Sequence, residues 1–244
     1  MEPDSSVLDV RRRILAFVAV GAAVVAWFAV APHLSPLSLW PWVVIVSAGV
    51  LPGTLLLVLI ALPLARLRWS VLLLGALLLG LAALGCSAAG WTLAENFAKL
   101  WAAVFAGWAF LYLFYEVSLV VLIAAIIPVV DAISVFTPGA PTNDIVKHHR
   151  AVYDHVAVSF YGPGGVALQL GPPDILFYAL FLGAAARFRL RVGWTWLATT
   201  AFYAAPLPIA VATHQDGLPA LPFLSAGFLV ANADLLWQRL RPRR

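Results

Sequence analysis

Val117-Ser118-Leu119-Val120-Val121-Leu122-Ile123-Ala124-Ala125-Ile126-Ile127-Pro128-Val129-Val130-Asp131-Ala132-Ile133-Ser134-Val135-Phe136 holds one ionisable group, Asp131, in an otherwise apolar run. A helix crossing a bilayer needs about 20 mostly apolar residues, and this stretch has that length. Comparable runs lie on both sides of it, giving candidate spans at 14–31, 39–64, 69–91, 97–114, 117–136, 166–186, 193–213 and 217–237. The runs are continuous and do not alternate, which excludes a barrel of strands. The expected fold is all-α: a polytopic membrane helix bundle of about eight transmembrane helices.

Composition agrees. Of the 244 residues, 63% are hydrophobic and 11% charged, against roughly 45–50% and a quarter in a soluble domain. A soluble globule of this size has no interior large enough for so much apolar surface, and a disordered chain has far less of it. The net charge is +4, but the basic residues form short clusters between apolar runs and no stripe, so nucleic acid is not an expected partner. The lone Cys86 excludes a disulfide framework and a thiolate metal site. Polar residues 1–13 end in Arg11-Arg12-Arg13 with no small-residue cleavage site after the apolar run that follows, so that run reads as the first span.

Residues 1–244 read as one transmembrane domain, with N-terminal helices over 14–114 and a second part over 117–237. Pro52-Gly53 predicts a kink in the long second span. Only Tyr115-Glu116 separates the fourth span from the fifth. The polar stretch 137–165 opens with Thr137-Pro138-Gly139 and closes with Gly162-Pro163-Gly164-Gly165, which predicts a loop with one short helix.

A carboxylate at the bilayer centre costs about 2.5–3.5 kcal/mol on insertion scales, so acids in spans are functional candidates. Glu116 and Asp234 sit near span ends, where an interfacial or ion-paired role suffices. Asp131 and Asp174 have no basic residue in their own spans to neutralise them. Two such carboxyls can share a proton, one serving as base and the other as acid. A proton relay or a helix-joining pair, as in a transporter, uses the same residues.

Three motifs bear on that choice. Leu168-Gln169-Leu170-Gly171-Pro172-Pro173-Asp174-Ile175-Leu176-Phe177-Tyr178 resembles the Gly-x-Gly-Asp segment of presenilins and signal peptide peptidases. Leu218-Pro219-Ala220-Leu221-Pro222 is similar to that family's Pro-Ala-Leu motif, and Val130-Asp131-Ala132-Ile133-Ser134-Val135-Phe136 to its Tyr-Asp segment. They occur in the family's order and cover roughly 117–237. The resemblance implies a GxGD-type intramembrane aspartyl protease with Asp131 and Asp174 catalytic and no metal or cofactor. It implies that Gly171, Pro172, Pro173, Leu218, Pro219, Ala220 and Leu221 border the substrate, with Gly171 keeping the backbone thin beside the acids. Substrates would be single-span membrane proteins or signal-peptide remnants. Val130 departs from the family's Tyr, and Pro173 from its second Gly.

Ala151-Val152-Tyr153-Asp154 also looks like the Tyr-Asp segment. Its apolar run, between Lys147-His148-His149-Arg150 and Gly162-Pro163, is too short to span, so Asp131 is the expected partner of Asp174. Asp144, His148, His149, Asp154 and His155 lack an HExxH-like spacing, and an Asp144–His148 pairing on a short helix accounts for them without a metal. The rival functions are a non-proteolytic presenilin-like scaffold and an ion-coupled transporter; a transporter of that kind usually shows paired broken helices in a repeat, and no second copy of either motif is present.

Positive charge sets orientation. Eight spans with a cytoplasmic N-terminus put all but Lys99, Lys147 and Arg150 of the 15 basic residues inside. Both termini are then cytoplasmic, and the 137–165 loop lies on the opposite side, which resembles the orientation of signal peptide peptidases.

Overall fold

Gly171-Pro172-Pro173 divides what reads as one apolar run into a strand and a helix. Neither proline has an N–H to give a strand ladder, while both suit the first turn of a helix, whose amides have no partner in any case. The computed structural model describes residues 5–137, 150–214 and 218–241. Its helices are α1 (Ser5–Val30), α2 (Leu39–Ile45), α3 (Leu51–Ile60), α4 (Trp69–Ala88), α5 (Thr92–Phe110), α6 (Val117–Phe136) and α7 (Arg150–Val156). Strands β1 (Val158–Gly162) and β2 (Gly165–Leu170) follow, then α8 (Pro172–Arg187), α9 (Val192–Ala204), α10 (Pro206–Thr213) and α11 (Leu221–Leu240).

Among the described residues six helices are long and apolar enough to cross a membrane: Val10–His33, Leu39–Ile60, Trp69–Ala88, Thr92–Leu113, Val117–Phe136 and Val192–Thr213. They mark a helical, multi-pass membrane protein. Two of the eight expected spans fall outside this set. The run 166–186 spends its first residues in β2, and α8 has 16 residues, about 24 Å at 1.5 Å per residue, against a hydrocarbon core of about 30 Å. The run 217–237 becomes α11, which is 20 residues long but carries Asn232, Asp234, Gln238 and Arg239.

Local chemistry explains the breaks. A π-helical turn at Val46–Val50 joins α2 to α3 immediately before Pro52, placing the expected disturbance one turn early, where the chain loses its regular hydrogen bond to proline. Phe114 and Glu116 are extended and end the helical path before α6, so Tyr115-Glu116 does separate two helices. α4 ends in a Schellman turn: Gly90 is left-handed (φ 72°), Gly90 N–H donates to Ser87 and Trp91 N–H to Cys86. The expected loop at 137–165 contains α7 and, unforeseen, β1 with the start of β2. The strands pair antiparallel through Val158↔Leu170 and Ser159↔Gln169.

α8 is the central element, buried from Tyr178 through Ala185. α5 approaches so closely that a side chain at Gly107 would collide with the Leu176 carbonyl oxygen. On another side Phe228 of α11 stacks on Phe181, ring centroids 4.8 Å apart. α11 also lies along α6 and α9, and a Cβ at Gly227 would come within 2.8 Å of Thr199 Cα. Small residues at such crossings let helices meet where lipid gives no hydrophobic drive.

The bundle has two distinct ends. At one, the buried Asn96 side chain of α5 donates to the Ser159 carbonyl and accepts its N–H, both at 2.7 Å. Trp27 Nε1 donates to Tyr161 O at 2.7 Å, and Gly164 N–H to Ala31 O, so the hairpin is fastened to α1 and α5. At the other end Tyr112 donates to Leu67 O at 2.6 Å and Arg187 to Leu111 O at 3.0 Å. Arg239 donates to the carbonyls of Phe188 and Arg189, and Arg191 forms a two-pronged ion pair with Asp234 at 2.9 and 2.6 Å.

Candidate functional site

Asp131 sits near the end of α6, one turn after Pro128, which cannot bond to the Ala124 carbonyl. Its Oδ2 accepts the main-chain N–H of Leu221 at 3.0 Å. Leu221 is the first residue of α11, where an N–H has no partner within the helix, so the carboxylate caps that helix and meets the positive end of its dipole. The Pro-Ala-Leu stretch therefore touches Asp131 directly. Pro222 follows at the next position, where its missing amide costs nothing. Leu218 and Ala220 are half-buried, and Pro219 and Leu221 are buried.

Asp174 occupies the third position of α8. Its Oδ2 accepts the Gly171 N–H at 3.0 Å, and its own N–H donates to Gly171 O, closing the first turn on itself. Each acid thus has one oxygen on the main-chain N–H at the start of a helix. The two carboxyls are near enough for the Asp131 charge to act on Asp174. Both residues are half-buried.

Gly171 is extended (φ −65°), and a Cβ there would make only ordinary contacts, 3.5 Å from Asp174 Oδ2 and Pro173 Cδ. The protein itself does not require glycine at this position. Pro172 and Pro173 take the first two places of α8, so the loss of the N–H at Pro173 removes no helical bond. Val130 is 58% exposed and faces out of the bundle.

Asp154 behaves differently from Asp131. It is exposed on α7; its Oδ1 accepts Gln169 Nε2 at 2.9 Å and its carbonyl accepts Lys99 Nζ at 3.4 Å. It ties α7 to β2 and α5. Glu116 accepts from Ser118 at the start of α6, and Asp234 pairs with Arg191. Asp144, His148 and His149 lie outside the described residues.

Tyr153 and Tyr203 lie within reach of the charge of the acids, with Tyr178 stacked on Tyr203, and none was singled out as a site residue from sequence. Tyr153 of α7 donates to Gln169 O at 3.5 Å; burial, then the charges of Asp174 and Asp154, push its phenol up to about 12, so it stays protonated in ordinary conditions. Tyr178 of α8 shares a hydrogen bond with Thr200 at 2.9 Å. Tyr203 of α9 stacks on Tyr178. The one available signal was a phenol in an apolar helix, since a buried hydroxyl normally finds a partner. No family model and no curated protein matches this chain.

Proposed function

We propose that this protein is an intramembrane aspartyl protease, an aspartic endopeptidase that hydrolyses transmembrane segments or signal-peptide remnants with Asp131 and Asp174. The observation that carries the reading is the hydrogen bond from Leu221 N–H to Asp131, which joins two of the three motifs at the acid whose charge acts on the third. In the reaction one carboxylate takes a proton from water as the water oxygen bonds to the peptide carbonyl carbon. The other carboxyl gives its proton to the carbonyl oxygen. The resulting diol collapses, the C–N bond breaks and the amine leaves protonated. Gly171, Pro172, Pro173 and the stretch Leu218 to Leu221 border the scissile segment. β2 runs directly into this turn, and its edge away from β1 has no strand partner among the described residues; a locally unwound substrate can add there.

In this reading α8 and α11 complete eight membrane helices with a presenilin-like arrangement. The loops bearing Arg66, Arg68, Arg187, Arg189 and Arg191 face the cytoplasm with both termini, and the hairpin faces away. Cysteine placed at position 143 should then be labelled from outside intact cells and cysteine at 243 should not; the reverse pattern would overturn the orientation.

The test of activity is cleavage of a transmembrane peptide by the reconstituted protein. Asp131→Asn and Asp174→Asn should each lower the rate by about 10³-fold or more. Asparagine keeps an oxygen to accept the capping N–H, so both variants should fold, and Asp154→Asn should keep its activity. One observation favours a second reading, that of a non-proteolytic scaffold: both acids already serve as helix caps. Unchanged function in the cell with both asparagines present would select it.

A further inference from the structure

Tyr203 is 3% exposed, and its hydroxyl has no hydrogen-bond partner among the described residues. The neighbouring phenol gives the contrast. Tyr178, its ring centroid 6.2 Å away and nearly parallel, spends its hydroxyl on Thr200. A buried hydroxyl left unbonded is costly and needs an explanation. The groups within electrostatic reach of the Tyr203 oxygen are Asp174 and Tyr178 from α8, Tyr153 from α7 and Asp131 from α6. It therefore lies within reach of the charge of both acids, Asp174 more strongly than Asp131, on a helix that carries neither. Val130, which resembles the family's tyrosine position, is turned outward and offers no hydroxyl.

We propose that Tyr203 is a third member of the site, its O–H donating a hydrogen bond to the carbonyl oxygen of the scissile peptide. This rests on the protease reading. The hydroxyl is unpartnered because its acceptor arrives with the substrate. As water adds, the carbonyl π pair moves onto oxygen, and a fixed donor aimed at that oxygen lowers the barrier without being consumed. Tyr203 keeps its proton throughout; the proton that ends on the oxygen comes from a carboxyl. The phenyl ring packs against Tyr178 whether or not the oxygen is present, so the hydroxyl can be removed without opening a cavity.

The experiment compares wild type, Tyr203→Phe and Asp174→Asn, reconstituted in vesicles with one transmembrane peptide. Tyr203→Phe should lower kcat by about 10²-fold with KM within about twofold of wild type, the mark of an interaction made in the transition state. It should weaken binding of a non-cleavable peptide bearing a hydroxyl at the scissile carbon by a similar factor. Its melting temperature should equal or exceed that of wild type. A kcat within about threefold of wild type, alongside a dead Asp174→Asn, overturns the role of Tyr203 and leaves the protease reading intact. Cleavage retained in Asp174→Asn, or absent in wild type, overturns the protease reading itself. Should Tyr203→Phe not fold, wild type carrying a ring-labelled tyrosine at 203 decides the matter. Its C–O infrared stretch should report a new hydrogen bond when the non-cleavable peptide binds, and an unchanged stretch overturns the proposal.

Discussion

The two ends of this bundle are built from different materials. The hairpin end is seated by an asparagine amide, an indole and backbone amides, with two carboxyls that each hold the start of a helix and Lys99 reaching Glu95 and the Asp154 carbonyl. The opposite end is joined by arginines that reach across to carbonyls and to Asp234. Guanidinium groups orient a membrane protein and bind its loops, and they would also hold any nearby carboxylate in its charged form. At the hairpin end Asp131 and Asp174 instead accept main-chain N–H groups, and the charge of Asp131 acts on Asp174. In the proposed reading the difference separates anchoring from chemistry by the length of the bundle.

That contrast can be broken most severely at Asn96. Asn96→Leu strands both the N–H and the carbonyl of Ser159 in a buried place, and should cost about 2 kcal/mol or more. The β1 amides should lose hydrogen-exchange protection and cleavage should fall with them, while the arginine end keeps its protection. Equal loss of protection at both ends would mean that they do not act as separate units. A smaller effect is expected from Pro219→Ala. It lets α11 grow by a turn at its start, which draws the Leu221 N–H into the helix and away from Asp131. Cleavage should drop severalfold with the melting temperature unchanged or raised; full activity would remove Leu221 from the site. The smallest effect belongs to the other end. Asp234→Asn breaks an exposed ion pair, a type of contact that contributes little to stability, so melting temperature and cleavage should both stay close to wild type. A large loss of cleavage there would show that the ends are coupled.

Asp131 and Leu221 stood out through separate motifs, and one hydrogen bond joins them; the apolar runs were legible because a bilayer demands length and continuity. The strand inside 166–186 was not. Its residues are as apolar as those of the helix after it, and only Gly171-Pro172-Pro173 marks the change. α5 begins at Thr92, five residues ahead of the expected 97, and its extra turn carries Glu95, which pairs with Lys99 one turn on at 3.1 Å. Asn96 and Tyr203 stayed invisible for a different reason. Each matters through what faces it from another helix or strand, and spacing along the chain holds no record of which faces meet. Asp154 shows the converse: it carries the better match to the Tyr-Asp segment, yet hydrogen-bonds Gln169.

The Asn96 clamp has a consequence for the conditions in which the hairpin keeps its shape. A carboxamide neither gains nor loses a proton across the pH range of any cell compartment, and added salt has no charge on it to screen. The Arg191–Asp234 contact at the far end is exposed and ionic, so its strength falls as salt shortens the reach of charge. An acidic or salty medium on the hairpin side would therefore leave the hairpin seated on α5, whatever protons the carboxyls gain or lose.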